Sequence, residues 1–444
     1  MSAPTAALRP FTVTHRGVLA IAVPMTLAYL TTPLVGIVNL GVVGQLGDPA
    51  PVGGVSIGAL IFDVVFVTFN FLRSGTTGLV AQALGAGDRR EIAATLLRAL
   101  LLALAIGLVI LVLNRPIMAI SLHLIGGSPA VQEATGIYWR IRVISVPFAL
   151  ANYVILGWLI GLGRAGYGLL LQAVLNGLNV VLSVALVQGF GFGVAGVGWA
   201  SLVAETTTAL VGLFLVFRVT ETADWPRRAR LLDRAAFVRM IAVNRDIMIR
   251  SFALLFGFAF FTAQSAAAGD VILAANEILI NLTVLAAYFL DGLAAAAEQF
   301  AGRAIGAGYR PAFERSLRLT VLWGYGVAVA ASLVLWLAGP AIIDLMTTSQ
   351  SVRAAAERFL PFAALVPMAG TLAYQMDGVF IGATWSSDMR NMMLLSLAAY
   401  LIVWWALSGV LGITGLWVAL LIFLGLRGVT LLWRSRARIR LAFP

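Results

Sequence analysis

The chain has 444 residues, of which 61% are hydrophobic and only 11% charged. A soluble protein of this size needs far more polar surface. The absence of cysteine excludes disulfides and thiolate metal sites, and two histidines far apart, His15 and His123, do not make a metal cluster. The net charge of +11 does not signal nucleic acid, because all thirty basic residues are arginine and most sit in short gaps between apolar runs.

Those runs are about twenty residues long, enough to cross ~30 Å of hydrocarbon as a helix. They are continuously apolar and do not alternate, which favours helices over a β-barrel. The first, 18–43, follows Arg9 and Arg16 as a signal peptide would, but its length and the many runs after it make it an uncleaved span. Further spans are expected at 53–84, 92–113, 135–160, 167–188 and 193–217. A polar stretch follows, and then spans at 246–268, 273–302, 316–338, 357–383, 391–409 and 414–433.

Alternate gaps separate by charge. One set holds Arg9, Arg16, Arg89, Arg90, Arg164, the cluster from Arg218 to Arg245, Arg303 to Arg318, Arg390 and the tail from Arg434 to Arg440. The other holds Arg115, Arg353 and Arg358. Arginine marks the cytoplasmic side, so both termini are expected there, which requires an even number of spans. Twelve fits. The expected organisation is a cytoplasmic N-terminus at 1–17, a six-helix lobe at 18–217, an arginine-rich linker at 218–245, a second six-helix lobe at 246–433 and a basic tail at 434–444. The linker, with a partly amphipathic helix, would lie on the anionic inner leaflet.

The halves repeat. Leu84-Gly85-Ala86-Gly87 recurs 221 residues later as Ile305-Gly306-Ala307-Gly308, and Ile160-Gly161 recurs at the same offset as Ile381-Gly382. Val146-Pro147 recurs as Val366-Pro367, and the turn at Gly193 to Gly196 recurs at Gly412 to Gly415. Four matches in order indicate a duplication. Because each unit has six spans, both copies enter from one side and are related by an axis along the membrane normal. The expected fold is an all-α membrane protein of twelve transmembrane helices in two tandem lobes, with a substrate cavity between them.

Ionisable groups inside spans mark pathways or coupling sites. Several have ordinary explanations: Arg140 and Arg142 lie near a helix end and can snorkel, and Arg250 is spaced to pair with Asp246. The eighth span is more informative. Glu277, Asp291 and Glu298 share a helix face with Asn281 and Tyr288. The second span carries a matching stripe, Ser56, Asp63, Asn70 and Thr77, at seven-residue intervals. Two polar stripes at repeated positions imply a shared water-facing path. In the tenth span Asp377 is the single carboxylate beyond its first residue, Glu357, and stands beside Tyr374. A carboxylate in hydrocarbon is costly unless a cation or a proton neutralises it, which suits a group that exchanges a proton for a cationic substrate.

These residues resemble the MATE (multidrug and toxic compound extrusion) antiporters, in particular their DinF-like branch. The resemblance rests on Val38-Asn39-Leu40-Gly41-Val42-Val43-Gly44-Gln45-Leu46-Gly47, Leu72-Arg73-Ser74-Gly75-Thr76-Thr77-Gly78 and Leu178-Asn179-Val180-Val181-Leu182-Ser183. It continues in Asn244-Arg245-Asp246-Ile247-Met248, Tyr288-Phe289-Leu290-Asp291-Gly292 and Asp377-Gly378-Val379-Phe380-Ile381-Gly382-Ala383-Thr384. It implies a cation-coupled exporter with no cofactor beyond the transported proton or sodium ion. Two departures matter: the branch usually has aspartates where this chain has Asn39 and Ser183, while Asn179 is retained. The resemblance therefore assigns ion coupling to Asp377, Asp291 and Glu298, and cavity lining to the two stripes together with Asn39, Asn179, Ser183 and Tyr374.

The expected function is efflux of small amphiphilic or cationic compounds, in exchange for protons or sodium ions, by a monomer in a bacterial inner membrane. A flippase for lipid-linked precursors and an uncoupled facilitator are the alternatives. A flippase would line its cavity with arginines, and a membrane enzyme would need a clustered catalytic or metal motif.

Overall fold

A computed structural model describes residues 9–443. In chain order the helices are α1 (His15–Gly44), α2 (Pro49–Phe69), α3 (Phe71–Ala86), α4 (Arg89–Val112), α5 (Asn114–Ile125), α6 (Pro129–Arg142), α7 (Val146–Gly161) and α8 (Ala165–Val184). They continue as α9 (Gly193–Val219), α10 (Arg228–Leu231), α11 (Arg234–Ala267), α12 (Asp270–Gly306), α13 (Arg310–Met346), α14 (Gln350–Gly382), α15 (Ser386–Leu411) and α16 (Ile413–Ala442). Eleven helical stretches among the described residues are long and apolar enough to cross a membrane. The remaining crossing is α2 followed by α3, so the fold is the expected twelve-helix, all-α membrane architecture.

Four local expectations change. The second span is not one helix but two, broken at Asn70, whose side-chain Oδ1 accepts from Arg73 Nε at 3.2 Å. The fourth span consists of α6 and α7 joined by a 3-10 turn at Val143–Ser145, ahead of Pro147, whose ring cannot continue a helix's hydrogen bonds. The fifth ends in a π turn, Ala185–Gly189. The amphipathic helix expected within the linker is continuous with the seventh span, since α11 starts at Arg234 and no proline or glycine interrupts it before Gly257. Of the expected N-terminal segment, residues 1–8 lie outside the described residues.

The chain forms two compact units. The C-terminal unit contains the chain up to Thr26, Ala81–Gly87 and Ile241–Pro444; the N-terminal unit contains Leu27–Val80 and Asp88–Met240.

Without water, helices in a membrane associate by close packing, and small residues let backbones meet. In the N-terminal unit α7 lies on α3 through Gly157 and Gly161: a Cβ there would sit 2.3 Å from the Arg73 carbonyl and 2.8 Å from the Thr77 carbonyl. In the C-terminal unit α14 lies on α12 through Gly378 and Gly382, where a Cβ would meet the Ala294 carbonyl at 2.5 Å and the Glu298 carbonyl at 2.1 Å. Every residue of the second set is 221 positions after its counterpart in the first. The duplication read from glycines is thus a duplicated helix crossing. Within the C-terminal unit the same relation folds onto itself: Gly85 packs on the Arg303 carbonyl and Gly306 on the Gln82 carbonyl. Gln82 Nε2 adds hydrogen bonds to the Gly382 carbonyl and Thr384 Oγ1, each 3.0 Å.

Residues 9–14 form a strap without regular secondary structure ahead of α1. Arg9 N–H donates to the Ala307 carbonyl, the Arg303 guanidinium lies 4.2 Å from the Phe11 ring centre, and Arg315 Nε donates to the Val13 carbonyl at 2.7 Å.

Gly382→Ala is expected to destabilise the protein by about 1–3 kcal/mol, as for other overpacked contacts. Gly409→Ala, which meets nothing within 4 Å, should be neutral or stabilising. Thermal unfolding of the two purified variants in detergent measures the difference.

Candidate functional site

In the C-terminal unit the close contacts that pack α14 also assemble its charges. Gly428 lets α16 approach α14 until a Cβ would lie 2.7 Å from the Ala373 backbone nitrogen. Arg427, the preceding residue, thereby reaches Asp377 with Nη2 2.8 Å from Oδ2. Arg250 from α11 donates to the same oxygen. This corrects the expected pairing of Arg250 with Asp246, which instead binds Arg390 (2.7 Å) and Arg245 (3.1 Å) and accepts from Ser386 Oγ. The spacing along α11 permitted the local pair; the tertiary fold offered Arg250 a more deeply buried carboxylate. Asp377 is 5% exposed and Arg427 2%.

Tyr374, half-buried one turn before Asp377, feels the charges of Asp291, Arg427, Arg250 and Asp377 together. Gln375 Nε2 donates to the Leu290 carbonyl on α12 at 3.3 Å. Asp377 Oδ1, Gln375 Oε1 and the Nε groups of Arg250 and Arg427 are buried without a partner. Asp377 is therefore a carboxylate held between two guanidinium groups, with hydrogen-bonding capacity left for water or a ligand.

On α12 the expected stripe divides. Glu277 is half-buried and accepts from Thr262 Oγ1 at 3.0 Å, Asn281 is exposed, and Tyr288 and Asp291 are half-buried. Glu298 is 3% exposed, at the α14 crossing where Gly382 backs onto its carbonyl. The α2–α3 stripe divides the same way. Ser56, Asp63 and Asn70 are exposed, and Thr77 is fully buried, its hydroxyl donating to the Arg73 carbonyl at 3.0 Å. The buried end of each stripe falls on the glycine crossing. The exposed part is polar surface on otherwise apolar helices, which hydrocarbon cannot solvate.

In the N-terminal unit, Asn179 Nδ2 donates to Ser201 Oγ on α9 at 3.0 Å, and Ser183 Oγ donates to Asn179 Oδ1 at 3.4 Å. Asn39 is buried with its Oδ1 unpartnered. Asn176 ties α8 to α1 by donating to Thr31 Oγ1 at 2.6 Å.

A second charged cluster lies beside this network and was not assembled from the sequence. Arg142 does not snorkel: its guanidinium lies 4.7 Å from the Phe62 ring centre and donates to the Tyr138 hydroxyl. Asn152 Nδ2 donates to Glu205 Oε2 at 2.7 Å and to the Glu205 carbonyl at 3.0 Å. Tyr153 feels Glu205, Arg73, Asp63 and Arg142. Tyr153 and Tyr374 are 221 residues apart, so each repeat places a tyrosine amid mixed charges. That repeat offset is the signal from which both clusters could have been found.

Among the described residues no group of three or more His, Cys, Asp or Glu side chains could hold a metal ion.

Removing Asp377 would strand two buried guanidinium groups. Asp377→Ala should lose about 3–5 kcal/mol of stability, the usual cost of breaking a buried pair. Arg427→Ala, which leaves Asp377 with Arg250, should lose less. Thermal melts of both variants test the order.

The MatE family model matches this chain twice, over residues 24–185 and 247–407, one copy in each half. DNA damage-inducible protein F of Escherichia coli (strain K12) is 39% identical over 421 residues, covering 94% of this chain and 92% of that protein. The multidrug resistance protein PmpM of Pseudomonas aeruginosa is 28% identical over 93% of this chain and 89% of its own length. Among solved structures, an outward-facing multidrug resistance MATE family transporter of the MOP superfamily superposes with a TM-score of 0.88 at 18% identity, covering 98% of this chain and 100% of its own. A MOP superfamily transporter from Pyrococcus furiosus, described as having a binding pocket of reverse polarity, gives 0.86 at 18% identity, with 98% of this chain and 100% of its own covered.

Proposed function

The chain belongs to the MatE family of multidrug efflux transporters, and on that premise we propose that it exports small amphiphilic or cationic compounds in exchange for protons or sodium ions. The observation that carries this reading is the exposed polar line Ser56, Asp63 and Asn70 on α2 and at its break, matched by Asn281 and the half-buried Glu277, Tyr288 and Asp291 on α12. Such a line on an apolar helix has to face water, and a water-facing path through a membrane suits solute movement. Asn39, Asn179 and Ser183 extend the polar lining in the N-terminal unit, and Tyr374 does so in the C-terminal unit.

Asp377, Asp291 and Glu298 supply the negative charge for coupling. In the state described, Asp377 is neutralised by Arg250 and Arg427. A cation that binds at Asp377 has to displace the more exposed Arg250, so binding and side-chain rearrangement are linked. Competition between substrate and coupling ion for the same carboxylates makes entry of one drive exit of the other. Each charge moved with the field supplies roughly 2.3 kcal/mol per 100 mV.

The protein sits in the bacterial inner membrane with both termini cytoplasmic. Reporter fusions after Arg90, Arg230, Arg310 and Arg436 should read cytoplasmic, and those near Asp48, Ser128 and Ser349 exterior; one exterior reading in the first group breaks this topology.

Transport is tested with purified protein in liposomes, following a cationic dye under separate proton and sodium gradients. One gradient should accelerate export, Asp377→Asn should lose that acceleration, and Asp377→Glu should keep part of it. Equal rates with and without either gradient would identify an uncoupled facilitator, the reading that the neutral Asn39 and Ser183 would favour.

A further inference from the structure

Carboxylates on the helices of this protein are neutralised in different ways, Asp377, Asp246 and Asp388 being buried and Glu205 half-buried. Asp377, Asp246 and Asp388 each have two arginines within ion-pair distance. Glu205 is different. It stands near the middle of α9 and makes no ion pair among the described residues; the hydrogen-bond partner of its carboxylate is the neutral amide of Asn152. A mid-span carboxylate without a cation in contact is best accommodated with a proton.

The geometry at Asn152 supplies the second observation. This side chain is 5% exposed, and while its Nδ2 donates to Glu205, its Oδ1 is buried without a partner. A carboxylic acid and a primary amide form a paired contact. The acid carbonyl accepts from the amide N–H, and the acid O–H donates to the amide oxygen. Half of that pair is in place. The missing half is the hydrogen bond that a protonated Glu205 would donate to Asn152 Oδ1. An unmade hydrogen bond at a buried oxygen is costly, and protonation of Glu205 removes that cost.

We propose that Glu205 is the proton-binding carboxylate of the N-terminal unit, with Asn152 as the residue that receives the bound proton's hydrogen bond. The assignment rests on the reading of the protein as an ion-coupled exporter and names the ion as the proton. The step is a simple transfer: a proton from water binds one Glu205 oxygen, the neutral acid pairs with Asn152, and release reverses both changes. The charged and titratable groups that act on it are Arg142 on α6 and Tyr153 on α7; Tyr138 accepts from Arg142, and Asp63 and Arg73 act with Glu205 on Tyr153. Arg142 acts at longer range while its guanidinium lies over Phe62 and donates to Tyr138. Among the described residues no guanidinium thus makes an ion pair with Glu205, as a site that must both take and give up a proton requires.

Glu205 also restores to this unit what Asn39 and Ser183 cannot supply. It lies one helical turn from Ser201, the hydrogen-bond partner of Asn179, so protonation would act on the polar network of α8 and α9.

Glu205→Gln mimics the protonated acid, because a glutamine can make both halves of the pair with Asn152. The test compares the parent, Glu205→Gln and Glu205→Gln with Asn152→Leu in proteoliposomes loaded with a cationic dye. Dye efflux is followed with and without an inward proton gradient, and proton entry with a pH-sensitive probe. Glu205→Gln is expected to melt at or above the parent temperature and to bind the dye with an affinity that no longer varies with pH. It should also lose the acceleration by the proton gradient. Infrared difference spectra between acid and neutral pH should lose one protonated-carboxyl band in the variant. The double variant should melt lower, since it removes the paired contact. Retention in Glu205→Gln of the parent's gradient response, pH-dependent binding and carboxyl band would overturn the assignment while leaving proton-coupled export standing. A parent that does not respond to the proton gradient would overturn both.

Discussion

Hydrocarbon does not tolerate an isolated charge, and much of this protein's chemistry follows from how each buried charge is neutralised. Asp377 is held by Arg250 and Arg427, drawn from α11 and α16. Asp246 and Asp388, near the arginine-rich ends of α11 and α15, take Arg245 with Arg390 and Arg434 with Arg438. Glu205 has an amide instead. An arginine partner is a permanent cation, so it fixes a carboxylate in its charged form. An amide accepts either form. The distinction between a carboxylate held by arginine and one held by asparagine thus separates groups kept charged, which a cation reaches only by displacing an arginine, from a group suited to exchange a proton.

The same constraint explains the packing. With no hydrophobic gain from burying one apolar helix against another in lipid, close backbone approach has to hold the bundle together. The crossings of α7 on α3 and of α14 on α12 are built on paired glycines, and in both the contacting carbonyls come from residues related by the repeat. The crossing has a functional consequence at each stripe. It buries Thr77 and Glu298, while Ser56, Asp63, Asn70 and Asn281 remain exposed. The depth at which helices touch therefore sets where polar groups stop meeting water. The strap at residues 9–14 and the Gly85–Gly306 contact tie the chain's beginning and the end of α3 to α12 and α13 within one compact unit.

Sequence reasoning placed the helices and the duplication, because length, hydropathy and glycine spacing are local properties written along one helix at a time. Breaks inside spans were harder to read. Asn70 interrupts the second span without a proline or glycine at the break, and nothing in its apolar flanks announces the change. The arginines were misjudged for a related reason. Arg250 has a carboxylate four residues behind it on its own helix, and Arg142 stands close enough to a helix end to snorkel, so local pattern supplied an adequate partner for each.

The amino-acid sequence by itself determined that this is a helical membrane protein with a duplicated six-span plan, and that Asp377 and the α2–α3 and α12 stripes carry its polar groups. Their residue types and periods admit little else in hydrocarbon. Only the tertiary structure decided which charge meets which: Arg250 and Arg427 with Asp377, Arg142 with Phe62, and Asn152 with Glu205. Those partners lie on different helices, and their contact depends on how closely the backbones approach, a distance that no single helix encodes.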